Sequence, residues 1–176
     1  TEGYKNIAMG TDALKDLTLG AQNIGIGYQS MENATTSWSN VAIGYEALKG
    51  ATTDTDMTGS GNVAIGYQVL HKNTTGYNNT ALGGYGLYQN TSGGNNIAFG
   101  QNNLYTNTTG GNNVGIGSSN LYANTSGSSN IAIGLSSLNA NTVGGNNIAI
   151  GSNALLYQLE PNYNIGIGVD AGRYNV

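Results

Sequence analysis

Apolar positions in this chain recur in one short alternating phrase. It runs Asn, then Ile, Val or Thr, then Ala or Gly, then an apolar residue, then Gly, as in Asn96–Gly100 and Asn113–Gly117. Its Asn falls at Asn6, Asn23, Asn40, Asn62, Asn79, Asn96, Asn113, Asn130, Asn147 and Asn164. Eight of the nine spacings are 17 residues, and the spacing from Asn40 to Asn62 is 22. Ten copies therefore cover residues 1–176 as a single repeat domain, with a five-residue insertion within 51–61. Positions are numbered below from the Asn of each copy.

Positions 2 and 4 alternate with position 3, the period of a strand, so their side chains share one face. That face is expected to point inward with the Leu or Met at position 9, from Leu14 and Met31 to Leu138 and Leu155. Position 3 then faces outward. Ala8, Ala42, Ala98, Gly115, Ala132 and Ala149 would leave a flat strip where another chain could approach. The glycines at positions 5 and 15 read as turns in which positive φ carries no steric penalty. Positions 7 to 11 fit a second short strand carrying Leu inward.

The pattern predicts an all-β fold, a parallel β-solenoid or β-roll of ten 17-residue coils. Stacked at strand spacing, ten coils make a rod roughly 48 Å long. One coil buries too little to offset the entropy of ordering it, so each depends on its neighbours. Asn at position 1 suits a column of stacked amides, a structural role.

Composition narrows the function. Only 8% of residues are charged, against roughly a quarter in ordinary soluble domains. No Asp, Glu, Lys or Arg occurs between Asn73 and Leu159. The strict period argues against disorder. A net charge of −4 with five basic residues offers no footprint for nucleic acid. No apolar run is long enough for a membrane span. There is no Cys and one His, His71 at position 10, read as a solvated outward residue. A catalytic triad or His-based metal site lacks parts. Phrases such as Gly25-Ile26-Gly27 open no helix and are repeat turns rather than phosphate loops. The chain is therefore expected to be non-enzymatic, with no cofactor and no metal.

The phrases Asn40-Val41-Ala42-Ile43-Gly44, Asn130-Ile131-Ala132-Ile133-Gly134 and Asn147-Ile148-Ala149-Ile150-Gly151 resemble the head repeats of trimeric autotransporter adhesins. Similar repeats occur in bacteriophage tail fibres. The resemblance covers all ten copies, although the 17-residue period is longer than that family's usual coil. It implies a left-handed roll, three chains side by side, and a place outside the cell or on a cell or virion surface. The expected function is a structural or adhesive fibre module that self-associates through its repeat faces. Its other partners would be a host-surface glycan or protein. Thr1 and Val176 both sit at position 13, so the chain starts and stops at one phase of the coil without a divergent cap. That feature allows an alternative, a filament or tube subunit stacking end to end.

Several local features are candidate contacts. Tyr28, Tyr45 and Tyr67 share position 6, and Tyr88, Tyr105 and Tyr122 share position 10. Rings one coil apart can stack. The strip Tyr88, Tyr105, Tyr122 is a candidate sugar or protomer contact, or a ladder that stiffens the surface. Trp38 and Tyr77 share position 16 and are expected to be exposed. Asp54 and Asp56 lie in the insertion, a candidate contact loop with too few carboxylates to hold a cation alone. Thr74, Thr91, Thr108, Thr125 and Thr142 form a Thr column, the basis of a weaker ice-binding reading. Asn33, Asn73, Asn78, Asn90, Asn107 and Asn124 open Asn-x-Ser/Thr sequons.

Overall fold

The computed structural model describes residues 4–51, 57–158 and 162–174. Positions 2 to 4 of each copy form a strand: β1 (Ile7–Met9), β2 (Ile24–Ile26), β3 (Val41–Ile43), β4 (Val63–Ile65), β5 (Thr80–Leu82), β6 (Ile97–Phe99), β7 (Val114–Ser118), β8 (Ile131–Leu135), β9 (Ile148–Ile150) and β10 (Ile165–Ile167). They make one ten-stranded sheet in chain order, parallel throughout. Repeat register is kept at every step, with Ile97 opposite Val114 and Val114 opposite Ile131. The chain is thus an all-β parallel solenoid of coils about 17 residues long. The longer step from β3 to β4 holds the same register, Val41 opposite Val63. The inserted residues, Asp54 and Asp56 among them, lie outside the described residues.

The ladder continues around the coil beyond the named strands. Leu87 N–H donates to the Asn103 carbonyl at 3.0 Å, Leu104 to Asn120 at 2.9 Å and Leu121 to Ser137 at 3.0 Å. Thr91 N–H donates to the Thr108 carbonyl at 3.0 Å, and Thr108 to Thr125 at 2.9 Å. Positions 7 to 11 are nonetheless not the second strand expected from the sequence. They form turns, because the residues at positions 7 and 9 are left-handed: Asn102 at φ 56° and Leu104 at φ 53° are typical. Each such residue costs roughly 1–2 kcal/mol. At position 9 the cost is offset by burial, since Leu48, Leu70, Leu87, Leu104, Leu121 and Leu138 are fully enclosed.

The sheet faces the opposite way to the sequence expectation. Position 3 points inward: Ala42, Ala64, Ala81, Ala98, Ala132 and Ala149 are all buried. Positions 2 and 4 point outward, as Ile97, Phe99, Ile116 and Ile150 illustrate. The interior is too narrow for two aliphatics per strand. A Cβ at Gly115 would already sit 3.4 Å from Asn103 Cβ, and one at Gly166 would lie 2.8 Å from Leu155 Cγ. The core is therefore built mainly from one Leu or Met and one Ala or Gly per coil, joined by Ala34, Ala47, Met57, Val69 and Ala154 and flanked by amides.

Those amides form two long columns. At position 1, Asn96 Nδ2 donates to Asn79 Oδ1 at 3.1 Å and to the Gly110 carbonyl at 2.9 Å. The same pair of bonds recurs at Asn79, Asn113 and Asn130. Asn73, Asn90, Asn107 and Asn124, read in the sequence only as sequon openers, form a second column at position 12. There Asn90 donates to Asn73 Oδ1, Asn107 to Asn90 and Asn124 to Asn107, each at 2.8 Å.

Gly at position 5 is fixed by two constraints. Gly117 has φ 122°, and a Cβ there would fall 1.9 Å from the Gly134 carbonyl oxygen. Gly at position 15 has only the second. Gly93, Gly110 and Gly127 do not adopt the positive φ expected for them, but a Cβ on any would lie 2.4 Å from the next coil's Gly oxygen.

Candidate functional site

The candidate strip Tyr88, Tyr105 and Tyr122 comes together as a stacked ladder. Tyr88 and Tyr105 have centroids 5.2 Å apart at 6°, and Tyr105 and Tyr122 are 5.1 Å apart at 5°. Tyr28, Tyr45 and Tyr67 stack in the same way at 5.2 and 5.1 Å. Tyr85, at position 7, joins the two ladders. It meets Tyr67 edge-on at 5.3 Å and Tyr88 at 5.9 Å. The rings turn their faces to one another, so a partner meets edges and hydroxyls rather than open π-faces. Burial, reinforced by Tyr88 and Tyr122, raises the Tyr105 phenol above its usual pKa. Trp38 and Tyr77 are exposed, as expected.

His71 is not the solvated outward residue read from the sequence. It stacks on Tyr88 at 5.0 Å, and its Nε2 lies 3.2 Å from Glu46 Oε2. Burial lowers its pKa, against an opposing pull from Glu46. It ends a polar column that includes Lys15, Glu32 and Lys49. Lys49 Nζ lies 3.2 Å from both Glu32 Oε2 and Glu46 Oε1. Burial acts to raise the Glu46 pKa, but bonds from Gln68 and Lys49 and the charges of Lys49 and His71 outweigh it, so the pKa is lowered. Coils one to four thus use Lys15, Glu32, Glu46 and Lys49, four of the protein's fourteen charged residues, on contacts along the rod.

The outer face of the sheet is continuous across the ten strands. Positions 2 and 4 supply twenty side chains, all apolar except Thr80 and none charged. Ile97 is 36% exposed, Phe99 37% and Ile116 38%. Tyr28, Tyr45 and Tyr67 border this face on one side and are also exposed.

The remaining candidates are largely absorbed by the coil. Thr74, Thr91, Thr108 and Thr125 donate their hydroxyls to the next coil's carbonyls at 2.9–3.1 Å. Of the sequon asparagines, Asn73, Asn90, Asn107 and Asn124 are buried in the position-12 column, while Asn78 is exposed. Among the described residues no three of His, Cys, Asp and Glu gather into a metal-binding group. No helix there is long and apolar enough to cross a membrane. Fold and surface together define a β-solenoid repeat protein. Comparison with protein-family models, curated proteins and solved structures gives no match.

Proposed function

We propose that the chain is a non-enzymatic structural and adhesive module of an extracellular or surface fibre, acting as a stiff rod that associates with copies of itself. The observation that supports this reading is how the polar side chains are used. Two columns of buried amides and two Tyr ladders bind each coil to the next. Such bonding stiffens a rod and leaves few groups free for chemistry. The resemblance to adhesin heads and tail-fibre repeats points the same way.

Electron microscopy of the purified protein tests the reading. Bundled rods of fixed length support a fibre module. Particles that grow without limit along the rod axis favour the end-to-end filament. Isolated single rods at every concentration would remove self-association from the proposal. For adhesion, Tyr105→Ala should abolish binding on a glycan array. Binding that survives the change would exclude the Tyr88–Tyr122 strip as the contact.

A further inference from the structure

The self-association proposed above needs a surface, and the sequence alone pointed to position 3, which is buried. We infer that the outward face of the sheet, positions 2 and 4 of the ten strands, is the interface and that it docks against the same face of a second copy. This inference rests on the fibre reading and specifies its contact.

Area is the first argument. Fully burying an aliphatic side chain is worth about 1.5–3 kcal/mol at about 25 cal/mol per Å², which corresponds to roughly 60–120 Å² each. Twenty such positions, each roughly a third exposed, offer on the order of 400–800 Å². The largest apolar patch on an ordinary monomer is about 300–600 Å², and a standard interface takes about 800 Å² from each partner. The bordering row of Tyr28, Tyr45 and Tyr67 widens the patch toward that size.

Chemistry and period are the second. The face carries no charge, so a charged or strongly polar partner would be desolvated there without compensation. Its side chains stand in two rows that repeat at every strand. A partner that fills the spaces between them must present apolar side chains at the same interval. A second copy does so along its whole length, and an interface made from one patch twice is self-complementary. Sheets packed in this way lie about 10 Å apart.

The test is light scattering during size exclusion on three full-length proteins. The wild type is expected to be oligomeric. The double variant Ile116→Lys/Ile150→Lys should run as a monomer with an unchanged β circular-dichroism spectrum. Thr109→Lys, on an exposed turn away from the sheet, should remain oligomeric. A folded double variant that stays oligomeric overturns this interface and leaves the fibre reading standing. A monomeric wild type overturns both. Because the chain has no cysteine, a second measurement covers the case in which the lysine variant fails to fold. With oxidised glutathione, at least one of the ten single-cysteine variants along position 4, from Met9→Cys to Ile167→Cys, should form an intermolecular disulfide at least tenfold faster than Thr109→Cys, because a self-complementary contact joins a position to itself only near its axis. Equal rates in all ten overturn the interface.

Discussion

Removing one link of the amide column should have a cost that the bonding around Asn113 specifies. Asn113 Nδ2 donates to Asn96 Oδ1 at 3.2 Å and to the Gly127 carbonyl at 2.8 Å. Its Oδ1 accepts from the Asn130 backbone N–H at 3.0 Å and from Asn130 Nδ2 at 3.1 Å. In Asn113→Ala three of the four partners keep another bond. Gly127 O still accepts from Asn124, Asn96 Oδ1 still accepts from the residue-113 backbone N–H, and Asn130 Nδ2 still donates to Gly144 O. The Asn130 N–H loses its side-chain acceptor inside the rod. One orphaned buried donor costs about 1–3 kcal/mol, and three lost but compensated bonds about 0.5–1.5 kcal/mol each, roughly 2.5–7.5 kcal/mol together. At about 2–4 °C per kcal/mol for a chain of this size, the melting temperature should fall on the order of 5–30 °C. Thermal and urea denaturation followed by circular dichroism measure this, with Thr109→Ala as a surface control expected within about 0.5 kcal/mol of wild type. A loss below about 1 kcal/mol for Asn113→Ala would show that water or backbone shifts replace the ladder, and would refute the assignment of these amides as the coil's polar core.

Gly117→Ala combines φ 122° with a Cβ 1.9 Å from a backbone oxygen. It should lose at least about 3 kcal/mol in urea melts. Gly84→Ala, whose Cβ would meet nothing closer than Gln101 Cγ at 4.0 Å, should be near neutral, and similar losses in the two would contradict the coil spacing. Glu46 and His71 both titrate lower in the folded protein than their ordinary 4.5 and 6.5. Below each ordinary value the unfolded chain therefore binds more protons, and stability should fall as pH drops through about 6.5 and again below about 4.5. Glu46→Gln should remove the second fall and keep the first; parallel stability–pH curves would count against the Glu46 cluster. In protein from a glycosylating host, mass spectrometry should find Asn90, Asn107 and Asn124 unmodified in the folded fraction and glycan, where present, at Asn78. A glycan on Asn107 of folded protein is incompatible with the buried column.

Much of the fold was legible because repetition turns one coil's ambiguity into ten samples of the same answer. The period gave the parallel register. Leu at position 9 marked the core, and Asn at position 1 marked an amide column. The Tyr ladders followed from rings falling at the same phase, one coil apart. The left-handed turns left a fainter trace. Positions 7, 9 and 17 carry no β-branched residue in any copy, as the residues at Asp12, Leu14 and Gln22 illustrate, a pattern expected where φ is positive. The second Asn column was also visible, in Asn73, Asn90, Asn107, Asn124 and Asn141, but four of its five members read there only as sequon openers.

What the sequence by itself determined was the relative arrangement: which residues fall in one column, and that positions 2 and 4 lie on the face opposite position 3. Only the tertiary structure decided which face is the inside. Alternation is symmetric between the two, and hydrophobicity alone favours burying the larger side chains. The coil closes so tightly that, against the inward Leu, it admits only a methyl group or a hydrogen at position 3, so the isoleucines and valines are left on the surface.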